Sequence, residues 1–293
     1  MFTIVAGILF PVFAITLVGF AIGRWIKIDF QPINRINMDF FVPALVFSSI
    51  GTMSLDITKI PLLGASILTT LIPFLLMFPI CKLFKINFKV WALPNIFRNT
   101  GNLAIPLFTY AFGPQALAPA VLLFVVSACA HFSLGFAIVS KGNQLKKIIK
   151  IPTFIAAFLA LSLNLSGITV WPPIYEAAAL LGQTAVPIML LSLGAQMCNM
   201  KLAGLKVGIA CTLLSLATGA ITFLTIYLFV PLSTLHLQMM LLFTMLPPAA
   251  MNYMIAERFN MEPTKVASMV LYGNFFSVIT LPILLTITFS LAQ

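Results

Sequence analysis

The chain has 293 residues, of which 61% are hydrophobic and 8% charged, where soluble proteins carry roughly 25% charged residues. So few charges do not cover a water-facing surface, which excludes an ordinary soluble globular protein, and the apolar content excludes a disordered chain. A mean hydropathy of +1.12 points to a polytopic membrane protein. At roughly 20 residues per spanning helix the length accommodates about ten spans, with no room for a separate water-soluble domain.

The formal charge of +10 falls in short loops. No polar segment carries a basic stripe with interleaved aromatics, so the charge reads as membrane topology and no nucleic-acid partner is expected. Cys81, Cys129, Cys198 and Cys211 lie in or beside apolar runs without CxxC or Cys/His pairing. They read as small buried hydrophobes, and no metal or cofactor is expected.

The first apolar run, 2–23, has no basic residue before it, unlike a cleaved signal peptide, so a retained first helix is expected. Nine more runs follow at 32–53, 60–80, 90–112, 115–139, 151–168, 173–196, 203–230, 236–257 and 264–290. They are continuously apolar, as membrane helices are, rather than alternating as in a barrel. Alternate loops set the orientation. Arg24, Lys27, Arg35, Lys82, Lys85, Lys89, Lys141, Lys146, Lys147, Lys150, Lys201, Lys206, Arg258 and Lys265 share one side; Lys59 alone marks the other, and Arg98 lies inside a span. The basic side is cytoplasmic by the positive-inside rule, which puts both termini outside.

The chain resembles itself at a spacing near 145 residues. Val42-Pro43-Ala44-Leu45-Val46-Phe47-Ser48 parallels Val186-Pro187-Ile188-Met189-Leu190-Leu191-Ser192, and the run opening at Pro114 parallels the one opening at Pro263. A five-helix unit crosses the membrane an odd number of times, so its second copy enters upside down. Such inverted repeats are typical of secondary transporters. The expected division is residues 1–140 for the first repeat, 141–150 for a basic cytoplasmic linker and 151–293 for the second repeat, all within one membrane domain.

The fourth helix reads Arg98-Asn99-Thr100-Gly101-Asn102-Leu103-Ala104-Ile105-Pro106. Proline removes a helical hydrogen bond and glycine weakens the same turn. In hydrocarbon such a break survives only against protein or a wet cavity. The ninth helix has Pro247-Pro248, then Asn252 and Tyr253. Interrupted helices at matching places in two inverted halves point to a transporter's binding site. Each break makes a half-helix N-terminus that favours an anion such as a carboxylate. The candidate substrate-binding residues are therefore Arg98, Asn99, Thr100, Gly101, Asn102, Pro106, Pro247, Pro248, Asn252 and Tyr253. The alternative is that the prolines only kink packed helices and the asparagines cap local backbone.

The run Asn99-Thr100-Gly101-Asn102-Leu103-Ala104-Ile105-Pro106 resembles the Asn-Thr-Gly-x-Leu-Gly-x-Pro signature of the auxin efflux carrier family. Ala104 is a departure where glycine is common, and it bears on the tightness of that turn. Phe41-Val42-Pro43-Ala44-Leu45-Val46-Phe47, the run Pro187 to Gly194, and Ser277-Val278-Ile279-Thr280-Leu281-Pro282 are similar to other patterns of that family. The resemblance covers essentially the whole chain. It implies an all-α membrane protein of ten helices in two inverted five-helix repeats, similar to bile-acid sodium symporters. Helices 1, 2, 6 and 7 would form a scaffold and homodimer surface. Helices 3–5 and 8–10 would form a moving domain in which the fourth and ninth cross. The family's substrates are organic anions: auxin in plants, malonate and other carboxylates in bacteria. The short link between halves is similar to the bacterial branch, which implies the bacterial inner membrane.

Arg98 is placed about 12 Å from a break at Pro106, counting 1.5 Å per residue. An intramembrane arginine attracts an anion or pairs with an acid; otherwise it snorkels to the interface. Asp39 is a candidate partner for Arg98 or a proton site, unless it is interfacial. His131, mid-span, is a candidate proton site or a packed, hydrogen-bonded histidine. The expected function is secondary transport of a small organic anion by alternating access. An inside-negative potential drives an anion outward with about 2.3 kcal/mol per charge per 100 mV, so an exporter needs no coupling ion and an importer needs H⁺ or Na⁺. A channel or structural subunit would show pore-lining polar rings. A membrane enzyme would need converging ionisable residues or a motif such as HExxH or GxSxG, and the sequence shows none.

Overall fold

The computed structural model describes residues 2–26, 28–53, 60–139, 150–168, 170–199 and 204–291. The expected linker lies outside these residues except for Lys150, as do Lys27, Lys59 and Lys201. The described residues are helical, and their one strand-like feature is a bridge between Arg98 and Pro248.

Helix α1 (Phe2–Ala21) runs into a π turn, Ile22–Ile26. Helices α2 (Gln31–Ile36) and α3 (Val42–Gly51) are joined by the π turn Asn37–Phe41. Then come α4 (Ile60–Leu83) and α5 (Phe88–Ile96), a break, and a π turn Thr100–Ala104 leading into α6 (Ile105–Phe112). Helix α7 (Leu117–Ala130) passes through the π turn His131–Gly135 into α8 (Phe136–Val139). The rest are α9 (Pro152–Leu165), α10 (Pro172–Asn199), α11 (Leu205–Phe229), α12 (Thr234–Thr244), a second break, α13 (Met251–Arg258) and α14 (Pro263–Ser290).

The ends follow local chemistry. Asn87 accepts from Lys89 N at 3.0 Å and Ser233 from His236 N at 3.3 Å, each satisfying an amide at the start of a helix that later breaks. Prolines occupy the first turn of α6, α9 and α14, where their missing N–H costs nothing.

Six helical stretches among the described residues are long and apolar enough to cross a membrane: Thr3–Ile26, Ile60–Leu83, Pro114–Val139, Pro172–Cys198, Leu205–Phe229 and Pro263–Ser290. Pro152–Leu165 and Thr234–Thr244 are shorter apolar helices. Large apolar side chains such as Phe10, Phe158, Leu213 and Phe229 point outward, as a lipid-facing surface requires.

Two packing groups are evident. Helix α1 lies along α10, and both α9 and α10 pack on α3; α11 lies along α14 and α4, and α4 along α5 and α7. The α1–α10 crossing is backbone to backbone. A Cβ on Gly194 would collide with Thr16 O and Phe20 N, and one on Gly19 with Leu191 O. Small residues permit such approach between membrane helices. Gly194→Val is therefore expected to abolish the monodisperse peak in size-exclusion chromatography. Gly7→Val, at a site where a Cβ meets nothing within 4 Å, leaves that peak unchanged.

Candidate functional site

The two breaks cross. In the first, Phe97 is extended (φ −100°, ψ 106°) and Asn99 (φ −78°, ψ 66°) forms an inverse γ-turn closed by Thr100 N donating to Arg98 O at 2.9 Å. In the second, Pro247 and Pro248 hold their neighbours extended. Asn99 N donates to Pro247 O at 2.8 Å and Ala249 N donates to Phe97 O at 3.1 Å. These bonds flank the Arg98–Pro248 bridge, so the bridged residues form a non-hydrogen-bonded antiparallel pair. Pro248 can sit there because no N–H is asked of it.

The break does not fall where the sequence places it. Pro106 is buried in the first turn of α6, eight residues after Arg98, and Arg98 lies in the unwound stretch itself. The physical reason is that a proline in a first turn starts a helix rather than interrupting one. The wide turn Thr100–Ala104, closed by Ala104 N to Asn99 O at 3.2 Å, carries the chain into it.

Three asparagines brace the crossing. Asn252, fully buried, donates from Nδ2 to Phe97 O at 2.9 Å. Asn274 of α14 donates to Pro248 O at 3.0 Å and Val270 O at 2.8 Å, and its Oδ1 accepts from Asn99 Nδ2 at 3.0 Å. Gly273 lets α14 approach, since a Cβ there would lie 2.5 Å from Pro248 Cδ.

Arg98 is 4% exposed and turns to α11. It donates to Ser215 O at 2.9 Å, Thr218 Oγ1 at 3.2 Å and, more weakly, Leu246 O at 3.4 Å. Asp39 is not its partner; that carboxylate stands 3.6 Å from Arg35, one helical turn back, and both side chains are exposed. The pairing is set by the i,i+4 spacing.

A cavity of about 520 Å³ lies against the crossing. Its floor is Thr100, Gly101 and Asn102 from one broken helix and Ala249, Ala250 and Met251 from the other. Both are half-helix N-termini, whose first amides have no intrahelical acceptor and carry positive dipole. Phe124, Phe132 and Phe154 form an apolar wall. Gly101 gives Phe124 its place, since a Cβ would lie 3.0 Å from that ring. The mouth carries Gln31 and Arg35, both exposed. A second cavity, of about 360 Å³, opens at the other end, lined by Ser48, Thr52, Tyr175 and Glu176 among others.

Arg98, Asn99, Thr100, Gly101, Asn102 and His131 thus line the large cavity; Pro106, Pro247, Pro248, Asn252, Tyr253 and Asp39 do not. The two prolines and Asn252 shape the crossing from behind. Tyr253 faces away and donates to Glu257 at 2.7 Å. Asn274, Asn37, Thr153 and Gln196 are absent from the sequence candidates, although the last three line the cavity. The available signal for Asn274 is an asparagine beside a glycine inside an otherwise apolar terminal helix.

A helical protein with apolar outer faces and a cavity at two crossed, broken helices has the architecture of a membrane transporter. The sequence matches the membrane transport protein family over residues 4–144 and 136–285, nearly its whole length. The chain belongs to that family, as its resemblance to auxin efflux carriers implies, and it is an integral membrane transporter. No curated protein matches it.

Proposed function

We propose that this protein is a secondary carrier of small organic anions, carboxylates in particular, that works by alternating access. The observation that carries the reading is the cavity floor: two half-helix N-termini meet there, with a buried arginine in the unwound backbone beside them. Amide dipoles and a fixed cation select an anion, and the aromatic wall accommodates its carbon body.

The topology that fits is ten spans in two inverted repeats. The bridged residues, Arg98 and Pro248, are 150 positions apart, close to the repeat spacing. Exchanging them turns the bond Asn99 N to Pro247 O into Ala249 N to Phe97 O, as a two-fold axis through the crossing does. The α1, α3, α9 and α10 group then serves as scaffold, and the other helices as the element that moves. The large cavity faces the basic, cytoplasmic side. Buried Val42, Leu45 and Val46 on α3, and Ala120, Val121 and Leu123 on α7, separate it from the smaller cavity. That packed layer favours a carrier over an open channel.

The test is counterflow in proteoliposomes with labelled malonate, benzoate and indole-3-acetate. Saturable uptake of trace label, driven by unlabelled anion inside, is the expected result. Folded, reconstituted protein that exchanges none of these anions would overturn the reading.

A further inference from the structure

We propose that His131 carries a proton that travels with the anion, so that this carrier is a proton–anion symporter; the proposal rests on the anion-carrier reading above. His131 lines the cavity, is 8% exposed, and opens the π turn His131–Gly135. Such turns re-aim a side chain and are frequent at functional sites. Its ring lies flat on Phe97, with centroids 4.2 Å apart and planes 4° from parallel. Gly135 makes the space, since a Cβ there would lie 3.1 Å from His131 Cδ2 and 3.2 Å from the Phe97 ring.

This stacking ties His131 to both broken helices. Phe97 is the residue whose carbonyl accepts from Ala249 N and from Asn252 Nδ2. Two buried polar atoms beside it lack a well-formed hydrogen bond, His131 Nε2 and Asn252 Oδ1, and the two side chains stand within reach of each other for one. One is a ring nitrogen able to carry a proton, the other an acceptor. In an imidazolium both nitrogens donate, so a proton at Nε2 has an acceptor waiting on the second broken helix. The cation gains further from stacking on the Phe97 ring.

The charges around the cavity make this proton depend on the anion. Arg98 from the first break and Arg35 from α2 line the same cavity, and Cys129 lies two residues away on the same helix. From α9 come Thr153 and Phe154, from α10 Gln196, and from the α13 side Ala250 and Met251; among the described residues no Asp or Glu lines the cavity, and Asp39 stands beside Arg35 outside that lining. Asp39 offsets the exposed Arg35, so an imidazolium here meets the buried charge of Arg98 and no counter-ion among the described lining residues. A carboxylate on the cavity floor supplies one. Anion and proton therefore bind with positive linkage, and by reciprocity each strengthens the other. The step is simple: on the acidic side a hydronium O–H bond breaks as the Nε2–H bond forms, leaving neutral water; no bond in the anion changes; at the other face the Nε2–H bond breaks, the proton returns to water and the anion leaves with it.

The experiment uses proteoliposomes at zero membrane potential with the outside one pH unit more acidic, and the anion that shows counterflow among malonate, benzoate and indole-3-acetate. Protein-free vesicles give the passive background. One proton per anion predicts about tenfold accumulation, because each proton contributes 2.303RT per pH unit. A pH-sensitive dye trapped inside should report acidification as the anion enters. His131→Gln is expected to exchange anion at a reduced rate but to accumulate none. Wild-type protein that exchanges anion yet neither accumulates it nor acidifies the lumen overturns the proton proposal and leaves the carrier reading intact. Full tenfold accumulation by His131→Gln also overturns it. Absence of exchange with all three anions removes the carrier reading and this proposal with it.

Discussion

Arg98→Gln is expected to lower anion flux by about 100-fold or more and to lower the thermal midpoint of the detergent-solubilised protein. The guanidinium is buried and shared among Ser215 O, Thr218 Oγ1 and Leu246 O. It fastens the first break to α11 and to the residue before Pro247. A hydrogen bond from a charged donor is worth roughly 1.5–3 kcal/mol, and at least two are lost in glutamine. At about 1.4 kcal/mol per factor of ten, misplacing the crossing by that much energy reaches the stated loss. Arg98→Lys keeps the charge but not the planar fork that spans separate acceptors, so it should recover part of the flux and little of the stability. The same cation sits beside the cavity floor without an acid, which biases the site toward anions. Glutamine and lysine variants that both match wild type in flux and melting would show that Arg98 is a passenger in the break.

What was legible in the sequence divides by the range of the interaction. Apolar runs bounded by charge mark where helices lie, because that signal is local. The second break was legible too: two consecutive prolines cannot continue a helix, and the chain unwinds at them. The first reads from the sequence as lying toward Pro106, because a proline's effect depends on register. In a first turn it begins a helix, and only the partner backbone at Pro247 and Ala249 shows that Phe97 to Asn99 is where the chain opens. Asn252 and Tyr253 are neighbours in sequence, and nothing in the sequence parts them, yet one helical step sends Asn252 inward to Phe97 and Tyr253 outward to Glu257. The role of Asn274 is not local at all. Its partner Asn99 is 175 residues away, and no spacing rule reaches that far. Asn37, Thr153 and Gln196 enter the cavity from separate helices for the same reason.

The division between residues that meet the anion and residues that hold the crossing yields the second large effect. Asn274→Leu removes the donor to Pro248 O and the acceptor for Asn99 Nδ2 and puts an alkyl group in a buried polar junction. Each stranded buried group costs about 1–3 kcal/mol, so melting temperature and flux should fall together, with flux lost almost entirely. Asn102→Ala is different in kind. Asn102 is half-buried and lines the cavity floor, within the turn Thr100–Ala104 that starts the second half of its helix. Losing one ligand contact there should reduce flux by about 10- to 100-fold, at 1.5–3 kcal/mol for a hydrogen bond to a charged group, and leave melting near wild type. Counterflow and thermal unfolding measured on both variants separate the roles. If Asn102→Ala melts early while Asn274→Leu transports normally, the assignments are reversed: the anion site would lie behind the crossing, toward α11 and α14, rather than in the cavity in front of it.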